Sequence, residues 1–151
     1  MQAALDEAKI AGECGEIPIG AVIVRDGEII GRGHNMVETD NDPTHHAEIM
    51  AIRDACSRTG YKRLTGCTMY VTCEPCHMCA GAMVLARLDR AVIGTMDPKA
   101  GAAGSLSNVL QDMRLNHRME IETGVLADEC AAIMKDFFRQ LRTKRSEDIS
   151  K

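Results

Sequence analysis

A chain of 151 residues fits one domain, residues 1–151, large enough to bury a core without disulfide staples. Hydrophobic residues make up 45% of it, which excludes a disordered chain, yet no apolar run approaches the roughly 18 to 20 residues that span a bilayer. A formal net charge of −4 leaves any nucleic-acid contact to a local basic patch, because phosphate neutralisation needs positive charge where the strand lies.

The N-terminus, Met1 to Asp6, carries neither a basic stretch with an apolar core nor a cleavage site, so a cytoplasmic location is expected. Ala4, Leu5, Ala8 and Ala11 recur at helical spacing within Ala3 to Cys14, and Gly15 suits the end of that first helix. Ile17 to Val24 is a β-branched run, followed by the turn Arg25-Asp26-Gly27 and a return strand from Glu28 to Gly33. Together they read as a hairpin. Thr39 to Thr44 is polar, contains Pro43 and reads as a loop, and a second helix follows from about His46 to Arg58. Cys67 to Thr72 is a short buried strand, Pro75 stands where a helix begins, and Cys76 to Leu88 keeps helical apolar spacing. Arg90 to Gly94 is a strand, Asp97 to Ser105 a Gly/Ala-rich loop, Met119 to Thr123 a strand, and Ala127 to Arg142 a final helix with a polar, frayed tail expected from about 143. Helices alternating with strands predict an α/β protein with a sheet covered on both faces, a three-layer α/β/α fold.

The seven cysteines are scattered through helix and strand patterns rather than framing loops, so reduced thiols are expected rather than bridges. Cys76 and Cys79 are spaced i and i+3, and one helical turn brings them to the same face, as a tetrahedral ion requires of neighbouring ligands. Alone, such a pair is equally a redox dithiol or half of a zinc ribbon, but Cys14, Cys56, Cys67 and Cys130 form no second pair. Upstream, His46-Ala47-Glu48 offers an imidazole and a carboxylate at another helix start. His45 adjoins it, but only His46 has the His-x-Glu spacing. A Cys-Cys-His set leaves a fourth zinc position open, the hallmark of a catalytic site, and helix N-termini favour thiolate over thiol. Zinc lowers the pKa of bound water from 15.7 towards about 7. Glu48, unligated beside that water, is the expected proton shuttle. Cys73 reads as a pocket or core residue, and His77 has no assigned role.

His46-Ala47-Glu48 followed by Pro75-Cys76-His77-Met78-Cys79 resembles the H-x-E…P-C-x-x-C signature of the cytidine deaminase superfamily. Ile17 to Val22, Asp42-Pro43-Thr44, Cys79 to Met83, Gly101 to Ser105, Leu115 to Arg118, Gly124 to Cys130 and Phe137-Phe138-Arg139 narrow the resemblance to the bacterial tRNA-specific adenosine deaminases, over roughly residues 3 to 142. The resemblance implies a five-stranded mixed sheet between helices, one zinc per subunit of a homodimer, and hydrolytic conversion of adenosine to inosine at the anticodon wobble position, chiefly of an arginine tRNA. It further implies that Asn35 hydrogen-bonds the flipped base, Ala47 offers it backbone, and Asp97 contacts RNA near the target. Lys99, Phe138 and Arg139 complete the expected substrate contacts. Read alone, Asn35 is a turn residue and Asp97 before Pro98 a turn initiator or cap. Cys73 stands where that family commonly has Leu, and Ala100 where it often has Thr.

Lys135, Arg139, Arg142, Lys144 and Arg145, beside Phe137 and Phe138, make the last helix a cationic end on an acidic protein. It suits phosphates, although basic residues near a helix C-terminus are also favoured by its dipole. Two other functions share the metal pattern: a deaminase of free guanine, cytosine or nucleosides, and a non-catalytic zinc-stabilised binding module. The basic end and the 97–105 loop favour RNA over a free base, and Glu48 opposes the module, which gains nothing from an unligated carboxylate.

Overall fold

The computed structural model describes residues 1–150. Its elements in chain order are α1 (Gln2–Glu13), β1 (Gly20–Arg25), β2 (Glu28–His34), α2 (Val37–Asp40), α3 (Ala47–Thr59), β3 (Thr68–Cys73), α4 (His77–Leu85), β4 (Arg90–Thr95), a 3₁₀ turn (Val109–Gln111), β5 (Glu120–Thr123) and α5 (Ala127–Ile149). The five strands form one mixed sheet in the order β2-β1-β3-β4-β5. β1 is antiparallel to both neighbours, whereas β3, β4 and β5 are parallel. Four strands therefore run one way and β1 the other, so the exits of β2, β3 and β4 and the entry to β1 share one edge of the sheet. In open α/β sheets, ligands bind outside the carboxyl ends of such strands.

α3 and α4 cover one face of the sheet, and α1 and α5 the other. Ala21, Ile23, Met69, Val71, Met83, Leu88 and Ile93 pack with Ala47, Ala51 and Ala55 into the main core. Each fully buried Ile, Leu or Met contributes about 1.5–3 kcal/mol. Small residues set how closely the layers approach. A Cβ on Gly31 or Gly33 of β2 would run into the α3 backbone at Ala51 or Ala47, so α3 lies directly on the strand that precedes it.

The expected α/β/α architecture and five-stranded sheet are present, with four local differences. β1 begins at Gly20 rather than at Ile17. The 39–44 region expected as loop begins with one short helical turn, α2, ended by Asn41 in the left-handed region at φ 50°. α4 stops at Leu85 rather than Leu88, because Arg87 is left-handed at φ 60°. The Leu88 N–H then bonds back to the Met83 carbonyl, a closure that buries Leu88 and ends the helix. α5 continues beyond the expected end at Arg142 to Ile149; hydroxyls of Thr143 and Ser146 donate to carbonyls one turn back.

Candidate metal centre and cleft

Two helix starts meet at the strand-exit edge. His46 is the residue before α3 and Cys76 the residue before α4, and both hold extended backbone, with φ −73° in each. From these positions their side chains reach over the first turn. Cys79, one turn into α4, completes the set. His46 Nδ1 lies 3.6 Å from Cys76 Sγ and 3.5 Å from Cys79 Sγ, and the three donor atoms lie within 4.8 Å of one another. A tetrahedral zinc at about 2.3 Å from sulfur and about 2.0 Å from nitrogen sets an S···N edge of about 3.5 Å. The donor set and its spacing therefore fit zinc.

The electrostatics of the cluster are those of a cation site. The Cys79 thiol, and then the His46 imidazole, hold Cys76 down at about 3 against the opposing effect of burial. Cys79 is pushed up, first by its hydrogen bond to Cys76 and then by burial. His46 is raised, chiefly by its hydrogen bond to Cys76. A dication meeting this cluster displaces protons and receives two thiolates.

Glu48, on the first turn of α3, is 4% exposed. Its Oε2 accepts from the Cys79 thiol at 3.5 Å, and burial above all pushes the carboxyl up to about 7. It stands beside the donor set without belonging to it. His45 is turned away: its ring bonds Asp40 at 2.7 Å and Asp42 at 3.1 Å, while Arg53 approaches it at 3.0 Å. That leaves His46 alone with the two cysteines.

The cluster opens into a cleft of about 740 Å³ lined by His46, Glu48 and Cys76 together with Asn35, Cys73, Asp97, Ala100, Phe138 and Arg145. Asn35 is buried. Its amide donates to the Ile17 carbonyl at 3.1 Å and its Oδ1 accepts the Ala47 N–H at 3.0 Å. Asn35 thus caps α3 from outside the helix and links the two expected base contacts to each other. Asp97 accepts the N–H groups of Lys99 and Ala100 at 3.0 and 3.3 Å, the turn-initiating role read for it from sequence, and it also lines the cleft. Lys99 lines an adjoining hollow of about 690 Å³, which shares Ile17, Ile19, Cys73, Asp97 and Phe138 with the cleft. The Cys73 thiol faces both spaces, and burial pushes it up to about 12.

Of the expected contacts, Ala47 is fully buried behind Asn35 and Lys99 reaches only the adjoining hollow, while Arg139 lines neither space. It pairs with Asp136 at 2.9 Å on the outer side of α5, and Phe137, Leu141 and Arg145 take the inner side. Sequence reasoning placed Arg145 only in the basic end. It also passed over Glu16 and Glu74, two buried carboxylates on the cleft wall; the signal for Glu74 is a charged residue between a buried strand and the Pro-Cys of a ligand pair.

Comparison with known proteins bears on what such a site does. The MafB19-like deaminase family matches residues 1–142. A tRNA-specific adenosine deaminase of Bacillus subtilis (strain 168) is 52% identical over 145 residues, covering 96% of this chain and 90% of that protein. A solved structure from work on A-to-I editing by tRNA:A34 deaminases at the wobble position of transfer RNA superposes with a TM-score of 0.85 at 45% identity, over 88% of this chain and 96% of that one. A guanine deaminase structure from Bacillus subtilis is more distant, with a TM-score of 0.62 at 34% identity over 94% and 90% of the two chains.

Proposed function

This chain belongs to the MafB19-like deaminase family, among the tRNA-specific adenosine deaminases, and we propose on that footing that it hydrolyses adenosine to inosine at the wobble position of a tRNA anticodon, chiefly of an arginine tRNA. The observation that carries the chemistry is a buried carboxylate, Glu48, placed against a three-donor cluster without being part of it. His46, Cys76 and Cys79 hold zinc. When bound, zinc supplies the Lewis acidity that brings the pKa of a water from 15.7 towards about 7. Glu48, buried beside the donor set, takes a proton from the attacking water and passes it to ring N1. It then moves the proton of the new C6 hydroxyl to the departing amine, so that the C6–N bond breaks, C6 keeps the oxygen as a carbonyl and ammonia leaves.

Asn35 and the Ala47 backbone hold the target base, and Asp97, Lys99 and Phe138 line its approach. Arg145 at the mouth, with Arg142 and Arg139 further out on α5, tracks phosphates, the service a free base would not need. An anticodon loop suits the open cleft because its bases are already largely unstacked. Met78 and Leu85 on α4, with Leu106 and Met113 beyond β4, are exposed apolar residues. A bond between His77 and Ser107 at 2.6 Å ties the first stretch beyond β4 to α4. This face suits a second copy in a homodimer. No helix among the described residues is long and apolar enough to cross a membrane, and the substrate class suits the cytoplasm.

The test sets zinc-loaded protein against an arginine tRNA anticodon stem-loop and, separately, free adenosine, guanine and cytosine. Inosine from the stem-loop alone is expected. Product from free bases alone would replace this reading with that of a nucleobase deaminase.

A further inference from the structure

Glu74 lies at the exit of β3, two residues before Cys76, and the proposed chemistry gives it nothing to do. Its carboxylate is 4% exposed and accepts four hydrogen bonds, all from the segment that leaves β4. Oε2 accepts the Asp97 N–H at 2.8 Å and the Ser105 hydroxyl at 2.5 Å. Oε1 accepts the Ala103 and Ser105 N–H groups at 3.1 and 2.9 Å. Gly101 passes so close that a Cβ there would overlap the carboxylate. The next residues continue the seam: the Ala102 N–H donates to the Pro75 carbonyl at 2.8 Å, and Cys76 bridges to Gly101.

No cation pairs with Glu74 among the described residues; three backbone N–H groups and one hydroxyl hold its charge. Burying a carboxylate is costly unless such donors converge on it, and an apolar plug would fill the same space without that cost. What the carboxylate adds is a shape. It winds the 97–105 segment around one point and thereby sets Asp97 and Ala100 on the cleft wall facing His46, Glu48 and Cys76.

We propose that Glu74 is a positioning residue for the substrate, folding the 97–105 segment into the wall against which the anticodon loop docks. This rests on the tRNA deaminase reading. The donors His46, Cys76 and Cys79 and the carboxylate of Glu48 are carried by the starts of α3 and α4, not by that segment. Disturbing Glu74 therefore weakens substrate binding and spares the chemical step, the signature of a raised KM at unchanged kcat.

Steady-state kinetics of the zinc-loaded full chain on an arginine tRNA anticodon stem-loop test this, with zinc content measured on the same samples. Glu74→Gln keeps the volume but removes the charge and turns an amide NH₂ towards N–H donors; KM rises about tenfold or more and kcat stays within about threefold, with zinc retained. Ser105→Ala removes one donor from an exposed position where folding is not at stake. It raises KM in the same direction by about threefold, and it decides the matter alone where Glu74→Gln does not fold. Unchanged KM in both variants beside an active wild type overturns the positioning role and leaves the deaminase reading intact. A fall in kcat with lost zinc overturns it as well, by assigning Glu74 to the metal site. A wild type inactive on the stem-loop sinks the tRNA reading and this inference with it.

Discussion

Gly33→Ala tests whether the metal site depends on how closely α3 lies against β2. The new Cβ would overlap the Ala47 carbonyl and the Ala51 N–H, both backbone groups, so no side chain can turn aside and the start of the helix must lift. Overpacking costs about 1–3 kcal/mol, and a collision with backbone belongs at the upper end, about 3 kcal/mol. For a domain of this length each kcal/mol shifts the melting temperature by about 2–4 °C, giving a fall of about 6–12 °C. Ala47 follows His46 and is bonded to Asn35, so the same displacement loosens the donor set and zinc content falls. Gly12→Ala is the control, since its Cβ meets only Pro18 at 3.5 Å and its position in α1 favours Ala by up to about 1 kcal/mol. Thermal unfolding followed by circular dichroism, with zinc measured in parallel, reads both effects. A Gly33→Ala protein that melts with the wild type and holds its zinc would refute the close-packing account.

Cys76→Ser removes a thiolate from the donor set, and metal analysis should find zinc lost while the rest of the core, which Cys76 does not fill, still unfolds cooperatively. Burial raises the Glu16 carboxyl, but hydrogen bonds from Thr39 outweigh it and hold the group below 4.5, with the Thr39 N–H at 2.6 Å. A depressed carboxylate contributes stability above its unfolded pKa and loses it as pH falls through the folded value. Glu16→Gln therefore costs about 1 kcal/mol at neutral pH, and its denaturant midpoint converges on the wild-type value in acid; a gap that widens in acid would contradict the sign. Arg145→Ala should weaken stem-loop binding and lower the slope of log K against log salt by about 1, whereas Arg139→Ala, on the outer side of α5, should do less.

The gathering of His46, Cys76 and Cys79 was legible because its signals are local. The i, i+3 spacing of Cys76 and Cys79, the proline before them and the His-x-Glu start of α3 each specify a helix N-terminus, and two such starts at one sheet edge bring the donors together. The five-stranded mixed sheet was legible only through family resemblance, and the strand order not at all, since β1 and β3 pair across Ala21 and Val71 with nothing in either strand to announce the partner. The phase of α5 was legible but not read: Ala127, Cys130, Ala131, Met134, Phe137, Phe138 and Leu141 recur at helical spacing, Arg145 continues that stripe one turn on, and Arg139 falls outside it. Glu74 was missed because its four donors come from residues 97–105: three are backbone N–H groups, which leave no mark in a sequence, and the fourth is a lone serine hydroxyl 31 positions away.

In the proposed mechanism Glu48 moves protons beside a metal it does not bind. Glu48→Gln keeps the size of the side chain and removes the exchangeable carboxylate, so the measurement is inosine formation on the arginine tRNA stem-loop by a variant whose zinc content has been verified. Full zinc with turnover reduced by about 10²-fold or more is the predicted result. Full zinc with wild-type turnover would contradict it, and the chemistry would then have to run without that carboxylate.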